Sequence, residues 1–206
     1  MSRSYQQYCA LARALDVVGD RWTMLILRNL LLGPLRYGEL RQTLPSIATN
    51  LLADRLRHLA EHALIAQPDG EAYALTEAGR ALEGALFALA DWGESHAWGP
   101  PREGERLHPR WLLTSMRRKI RPGAEVATLL MRTPGHDYLV TCGPTPSVVA
   151  IQGEPPRCDL EVFGESPRQL VGALIGALTQ PEHAQTARAA RQSLGEWGPM
   201  SALALL

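Results

Sequence analysis

The residues that could do chemistry in this chain are few, and one group of them has the spacing of a zinc site. His58-Leu59-Ala60-Glu61-His62 matches the H-x-x-E-H pattern, in which two histidines on one helix face bind zinc and a glutamate acts as a base. A catalytic zinc also needs a third protein ligand and a closed pocket. We expect this segment to end a short exposed helix, so we interpret it as a solvated surface. No other catalytic constellation is found, and we expect no enzymatic activity, metal or cofactor.

Other polar side chains are placed to hydrogen-bond to a nucleic acid. Leu52, Leu56, Leu59 and Ala63 recur at helical spacing and predict an amphipathic helix over residues 49–63. The residues expected on the outward face are Asn50, Ala53, Asp54, Arg57 and Glu61. Amide groups match the edge of adenine and guanidinium groups match the edge of guanine. This face is therefore a candidate for reading base pairs.

The candidate nucleic-acid surface extends beyond this helix. Asn50 is expected to read adenine and Arg57 a guanine or a phosphate, while Arg36 and Tyr37 are placed to hold a neighbouring phosphate. The complete set of candidates is Arg36, Tyr37, Ser46, Thr49, Asn50, Ala53, Arg55 and Arg57. The alternative interpretation is that Arg55 and Arg57 are ordinary solvated charges on a helix.

The elements that must position these residues are predicted by periodicity and by turn signals. Helices are expected over residues 11–18, 22–30, 38–44 and 49–63, with Gly19-Asp20 ending the first and capping the second. Residues 64–67 and 72–75 form short strands around Pro68-Asp69-Gly70-Glu71, a strong hairpin signal. Thr76 is expected to cap a long helix that runs to about Trp98. Two helices joined by a tight turn and followed by a hairpin are typical of a winged helix-turn-helix.

Several motifs in this half resemble the HxlR-type branch of the MarR-like bacterial transcription regulators, over about residues 8–97. They are residues 15–23 (LDVVGDRWT), 26–28 (ILR), 32–40 (LGPLRYGEL), 50–59 (NLLADRLRHL) and 73–79 (YALTEAG). The resemblance implies a homodimeric winged-helix repressor or activator that binds pseudo-palindromic operator DNA. This chain has Ala48 where the family usually has a capping serine, so Ser46 or Thr49 is expected to cap instead. Its acidic wing is expected to contribute little affinity.

The long helix carries an apolar stripe that a single winged helix has too little core to bury. The stripe consists of Leu82, Leu86, Leu89 and Gly93, with Trp92 and Trp98 adding apolar area. Together with the first helix it is expected to form a two-fold dimer interface. The alternative is that the stripe packs against the second domain.

Cys9 lies just before the first helix, where HxlR-type regulators often have a cysteine that some members use to sense oxidants or electrophiles. A helix N-terminus lowers the pKa of a thiol, which makes such sensing physically possible. The alternative is that Cys9 is a small apolar residue in the dimer interface.

The composition is that of an ordinary globular protein. The chain has 206 residues with 21 basic and 21 acidic side chains, so a globally basic nucleic-acid coat protein is excluded. Residues 1–7 are polar and predict no secretory signal peptide, and the longest uncharged apolar stretch, residues 170–178, is too short to span a membrane. Three scattered cysteines predict neither a disulfide framework nor a zinc site. We expect a cytoplasmic protein with no membrane partner.

The C-terminal half is predicted to be a separate α+β domain. A Pro-Pro and glycine-rich linker, residues 99–107, divides residues 1–98 from residues 108–206. A helix over residues 108–120 is followed by strands over 126–132, 137–142, 147–152 and 157–164. Ser166-Pro167 then opens a helix that is apolar nearly all round, which predicts cover on more than one side, with Gly172 and Gly176 allowing close backbone approach. A final helix is expected over residues 182–194, and residues 202–206 form an apolar tail.

The segment 158–170 (CDLEVFGESPRQL), with the preceding strands, resembles sterol carrier protein-like domains. That resemblance implies a small, mainly antiparallel sheet and helices that enclose an apolar ligand. The candidate lining residues are Trp111, Met131, Leu160, Val162, Leu170, Leu174 and Leu178. Plain core packing explains each of them equally well.

The whole sequence is therefore expected to be an α+β protein with an N-terminal winged helix-turn-helix and a C-terminal sterol carrier protein-like domain. We interpret it as a homodimeric operator-binding regulator, and more specifically a repressor, that a hydrophobic small molecule modulates. The alternatives are a thiol-sensing regulator that uses Cys9 and a lipid carrier whose winged helix serves only dimerisation.

Overall fold

A computed structural model describes residues 4–100 and 102–195. It divides the chain between Trp98 and Gly99 into two compact units, Met1–Trp98 and Gly99–Leu206. The described residues contain no helix that is long and apolar enough to cross a membrane. The apolar tail predicted over residues 202–206 lies outside the described residues.

The first unit is a set of helices with one small sheet. Its elements in chain order are α1 (Ala10–Val18), α2 (Thr23–Leu30), β1 (Leu35–Arg36), α3 (Tyr37–Thr43), α4 (Thr49–Glu61), β2 (Ile65–Ala66), β3 (Ala72–Leu75), α5 (Glu77–Arg80) and α6 (Glu83–His96). The helix-turn-helix is formed by α3 and α4. The predicted order of two helices followed by a hairpin is confirmed.

The wing is a three-stranded sheet with the order β1-β3-β2. The predicted hairpin is confirmed, because Ile65 pairs antiparallel with Leu75 at the open end of β2 and β3. The third strand, β1, was not expected. It pairs with β3 and places Leu35 opposite Tyr73. A strand of two residues is too short to show any periodicity in a sequence.

One apolar cluster holds the first unit together. Ile26, Leu27 and Leu30 of α2 are buried, and so are Leu35 and Leu40 on either side of the turn into α3. The same cluster includes Leu52, Leu56 and Leu59 of α4 together with Ile65 and Leu75 of the wing. The helix-turn-helix and the wing therefore share one core, so the hairpin cannot shift without disturbing the helices.

Three details of the predicted helices are wrong. The long helix is two helices, because the chain tightens at Leu82, whose N–H donates to Gly79 O three residues back. Ala63 is exposed with a φ of 53°, so it lies beyond the end of α4 rather than on its buried face. Asp20 does not cap α2, which begins after Trp22 without a side-chain cap. The predicted cap at Thr76 is confirmed, since its Oγ1 accepts from Gly79 N at 3.1 Å.

In its described residues, the second unit contains a four-stranded sheet and three α-helices. Its elements in chain order are α7 (Pro109–Lys119), β4 (Ala127–Thr133), β5 (His136–Cys142), β6 (Ser147–Ile151), β7 (Leu160–Phe163), α8 (Pro167–Leu178), a short 3-10 helix (Pro181–His183) and α9 (Ala184–Leu194). The strand order is β6-β5-β4-β7, in which β7 runs parallel to β4 and the other neighbours are antiparallel. All four predicted strands and the mainly antiparallel sheet are confirmed.

The helix α8 begins as predicted but is covered differently. Ser166 caps it by accepting from Gln169 N, and Pro167 occupies its first position. Leu170, Val171, Leu174 and Leu178 are buried, whereas Gly172 and Gly176 are exposed. A Cβ at either glycine would meet no described atom within 4 Å. The expected close backbone approach at these two glycines is therefore wrong, and the small residues lie on the outer face of the helix.

Gly79 gives a test of how tightly the wing is packed on α5. A Cβ at this position would lie 2.1 Å from Leu64 O, which is backbone and cannot move aside cheaply. We expect Gly79→Ala to destabilise the first unit by about 1–3 kcal/mol, even though alanine favours a helix by about 1 kcal/mol. Urea denaturation followed by circular dichroism measures the difference.

The matched control is Gly84→Ala in α6, where a Cβ would meet nothing within 4 Å. This variant should be neutral or slightly stabilised. Equal stability of the two variants would contradict the close contact between Gly79 and Leu64.

Candidate nucleic-acid interface

The outward face of α4 carries the polar groups that the sequence places there. Leu52, Leu56 and Leu59 are buried on the inner face. The exposed residues are Thr49, Asn50, Asp54, Arg57 and Glu61, and Ala53 is half-buried beside them. The structure therefore brings an amide, a guanidinium and two carboxylates together on one accessible helix face.

The first turn of α4 is held by a side chain from α3. The N-cap residue is Ala48, and neither Ser46 nor Thr49 caps the helix, so that expectation is wrong. Tyr37 Oη instead donates to Thr49 O at 2.9 Å. Because a phenol has one O–H group, this internal hydrogen bond uses the only proton that the Tyr37 side chain can donate. Its position favours orienting α4 over donating to a phosphate.

The two arginines of α4 have different surroundings. Arg57 forms an ion pair with Asp54 on the same face, with Nη1 and Oδ1 2.9 Å apart, and both side chains are more than half exposed. Arg55 forms an ion pair with Asp20, in the connection between α1 and α2, and its side chain is only 22% exposed. Arg57 is therefore accessible to a ligand, whereas Arg55 ties α4 to the body of the unit.

A histidine forms a further contact, between α4 and α1. His58 Nε2 lies 2.9 Å from Val17 O, and since a carbonyl only accepts, the ring nitrogen donates. His62 Nδ1 lies 2.9 Å from His58 O. Among the described residues no three histidine, cysteine or acidic side chains are grouped so that they could hold a metal ion. The H-x-x-E-H segment contributes hydrogen bonds to backbone oxygens.

The wing adds negative charge at the neighbouring surface. Glu71 forms an ion pair with Arg36, which the pairing of Arg36 with Ala72 across β1 and β3 brings close. Asp69 Oδ1 accepts from Glu71 N and Ala72 N, both at 3.0 Å. These N–H groups, that of Ala72 most strongly, lower the pKa of Asp69. Asp69 therefore stays ionised to a lower pH than an ordinary aspartate.

Sequence reasoning missed two basic residues. Arg41, in the last turn of α3, is exposed and forms no ion pair within the described chain. The sequence feature that could have identified Arg41 is its position on the first helix of a helix-turn-helix, because that helix crosses the DNA backbone. Arg110 in α7 is buried, and its Nη1 lies 3.4 Å from Tyr138 Oη. Nothing in the sequence distinguishes Arg110 from a surface arginine.

The predicted dimer surface contains exposed apolar side chains. Leu11 of α1 is 67% exposed, and on α6 Leu89 is 56% and Trp92 58% exposed, while Leu86 is buried. Cys9 is the exposed N-cap residue of α1. The N–H groups of Ala12 and then Leu11 lower the pKa of its thiol.

The candidate ligand residues of the second unit lie in its interior. Leu160 and Val162 of β7 are buried beside Leu129 and Met131 of β4. Leu170, Leu174 and Leu178 of α8 are buried as well, and Trp111 of α7 is half-buried. Six of the seven residues are thus buried in the second unit, and Trp111 is half-buried.

Comparison with known proteins places the first unit in a family. The HxlR-like helix-turn-helix family matches residues 17–100. An HTH-type transcriptional regulator of Mycobacterium tuberculosis is 38% identical over 120 residues, covering 51% of this chain and 75% of the relative. YdeP, an HTH-type transcriptional regulator of Bacillus subtilis, is 33% identical over 94 residues, covering 43% and 73%. The quinone-bound YodB from B. subtilis is 32% identical over 42% of this chain and 98% of that one, with a TM-score of 0.40.

The M. tuberculosis and YdeP relatives are both HTH-type transcriptional regulators. The motifs that carried the resemblance are those that build α1 to α5. The chain belongs to the HxlR family of helix-turn-helix transcriptional regulators.

Proposed function

We propose that two copies of this chain bind operator DNA, each inserting α4 into the major groove, and thereby repress transcription. The observation that carries this proposal is the outward face of α4, where side chains that match base edges are exposed and the leucines opposite them are buried. The N-terminal part of a recognition helix reaches base edges. A dimer bound over a promoter excludes polymerase without any contact to it, which favours repression over activation.

The exposed residues of α4 divide by the chemistry of the DNA that they fit. Asn50 matches adenine, Arg57 matches guanine or a phosphate, and the methyl group of Ala53 fits a thymine methyl group. Ser46 and Thr49, which are exposed before and in the first turn of α4, fit phosphate oxygens. Arg36 and Arg41 supply further positive charge, although Glu71 partly neutralises Arg36. Tyr37 and Arg55 act by holding α4 in place.

The apolar surface of α1 and α6 is the proposed dimer interface. Leu11, Leu89 and Trp92 would lose their contact with water in a two-fold assembly, and burial of apolar area is the main driving force of such association. The two copies of α4 must then lie about 34 Å apart to enter successive major grooves.

The second unit is proposed to bind the effector, a hydrophobic small molecule, as a sterol carrier protein-like domain of residues 108–206. The support is the set of buried apolar side chains on β4, β7 and α8, among which an apolar molecule could be accommodated at the cost of rearranging side chains. Binding there would change operator affinity only if the effector favoured one of two states of the dimer.

A thiol-sensing regulator is the second candidate, and the surroundings of Cys9 favour it. This thiol is exposed and its pKa is lowered, whereas burial raises the pKa of Cys142 and of Cys158. The thiolate is the reactive form. Cys9 is therefore the cysteine that an oxidant or electrophile would modify first.

We expect Arg57→Ala to weaken binding to the DNA upstream of the protein's own gene by about tenfold or more. Each subunit loses a cation from the face of α4, and Asp54 is left without its partner. The dependence of affinity on salt should become less steep, because fewer phosphate counterions are released. Gel shifts over a salt series measure both effects.

Arg188→Ala in α9 is the control, since it removes an equally exposed arginine from the second unit. It should leave both quantities unchanged. If Arg57→Ala binds DNA with unaltered affinity across the whole salt series, Arg57 does not contact the DNA.

We expect Leu89→Glu to convert the dimer into monomers, because it places a charge in the proposed apolar interface. DNA binding should fall with it, since one copy of α4 cannot span two grooves. Sedimentation velocity measures the mass of the assembly. The control is Phe163→Glu, which changes an exposed apolar residue of β7 and should remain dimeric. A dimeric Leu89→Glu variant would contradict the interface.

The two modes of regulation differ in what releases the protein from DNA. If the effector is a ligand, a lipophilic extract releases both wild type and Cys9→Ser, and diamide releases neither. If Cys9 senses oxidants, diamide releases only the wild type. In either case Cys9 should be alkylated by iodoacetamide at lower pH than Cys158, because its thiolate forms at lower pH, as peptide mass spectrometry would show. Faster alkylation of Cys158 would contradict the role of Cys9.

A further inference from the structure

We propose that Asp54 and Arg57 act together as a reader of cytosine and guanine, and that Asp54 determines base specificity. This inference rests on the proposed insertion of α4 into the major groove. Asp54 lies one helical turn after Asn50 and three residues before Arg57, so all three share the outward face. Its side chain is 57% exposed, which leaves it accessible to a ligand.

The ion pair leaves half of the carboxylate available. Arg57 Nη1 donates to Asp54 Oδ1 at 2.9 Å, while Arg55 is directed away to Asp20. The second oxygen of Asp54 can accept another hydrogen bond, and the remaining N–H groups of Arg57 can donate. The pair is thus an acceptor and a donor held side by side on the helix.

A carboxylate restricts what can lie opposite it in DNA. It only accepts hydrogen bonds, and it is repelled by phosphates, so its partner must be a donor on a base edge. In the major groove the donors are the amino groups of cytosine N4 and adenine N6. Adenine presents its N7 acceptor beside N6, where it would face the second carboxylate oxygen. Cytosine has no such neighbour, and it is the base that aspartate and glutamate select.

The guanidinium of Arg57 complements this choice. Guanine offers the acceptors O6 and N7, which arginine binds with two hydrogen bonds. Residues 54 and 57 are about 4.5 Å apart along the helix axis, since an α-helix rises about 1.5 Å per residue. That distance fits one C·G pair or two neighbouring base pairs. Each half-site should therefore contain a cytosine next to, or paired with, a guanine.

The same carboxylate lowers affinity for every sequence. It places a negative charge near the DNA backbone and neutralises Arg57 in the free protein. Removing it should raise binding to unrelated DNA while relaxing base choice. Loss of an ordinary surface ion pair would instead change affinity for all sequences alike.

The test is a selection from randomised duplex DNA with the full chain, followed by sequencing, for the wild type and for Asp54→Asn. The wild type should require cytosine at one position of each half-site. In Asp54→Asn that preference should fall by about tenfold or more and shift towards adenine, because an amide matches adenine N6 and N7. Asp54→Ala should show no preference at that position, which excludes an effect of the new amide.

Glu61→Gln is the matched control, since it removes one exposed carboxylate from the same helix face nearer the C-terminal end. It should bind all duplexes more tightly and keep the wild-type sequence preference. An unchanged preference in both Asp54 variants would overturn the role of Asp54 and leave the proposed function standing. Failure of the wild type to enrich any sequence would overturn the proposed function itself.

Discussion

The first unit depends on the burial of one face of α4. Leu52, Leu56 and Leu59 recur at the spacing of a helix stripe and are almost fully covered by side chains of α2, α3 and the wing. This burial fixes the rotation of α4 about its own axis, because turning the helix would expose leucines and bury Asp54 or Arg57 without water. The direction in which the polar residues point is thus decided by the apolar residues behind them.

Charge on the outward side is balanced rather than strongly positive. Two arginines near the proposed DNA surface form ion pairs with carboxylates. Arg36 pairs with Glu71, and Arg57 pairs with Asp54. Asp69 adds a further negative charge in the wing. Exposed ion pairs contribute little to folding stability, so these two pairs affect the charge of the surface more than the stability of the fold. A neutral chain, with 21 residues of each sign, gives weak attraction to DNA in general.

The sequence predicted most elements because they have strong local signals. The stripe of α4, the Asp69-Gly70 turn and the Ser166-Pro167 start of α8 each specify a structure within a few residues. What it did not predict depends on contacts between distant residues. β1 exists only because β3 lies beside it, and Tyr37 holds α4 only because the eleven intervening residues of the chain fold back. Likewise, Arg55 and Arg57 look equivalent in the sequence, and only the position of Asp20 separates them.

Two side-chain contacts join α4 to α1 and to the residues that follow α1, and they affect how α4 could move. His58 bonds to the last turn of α1, and Arg55 bonds to Asp20 just after it. These two contacts hold α4 against α1 and the residues that follow it. If α1 lies at the two-fold axis, a small rotation of one subunit against the other is converted into a larger sideways swing of each α4. Such a rotation would change the spacing of the two α4 helices, so that they no longer match the DNA grooves, without any rearrangement inside a subunit.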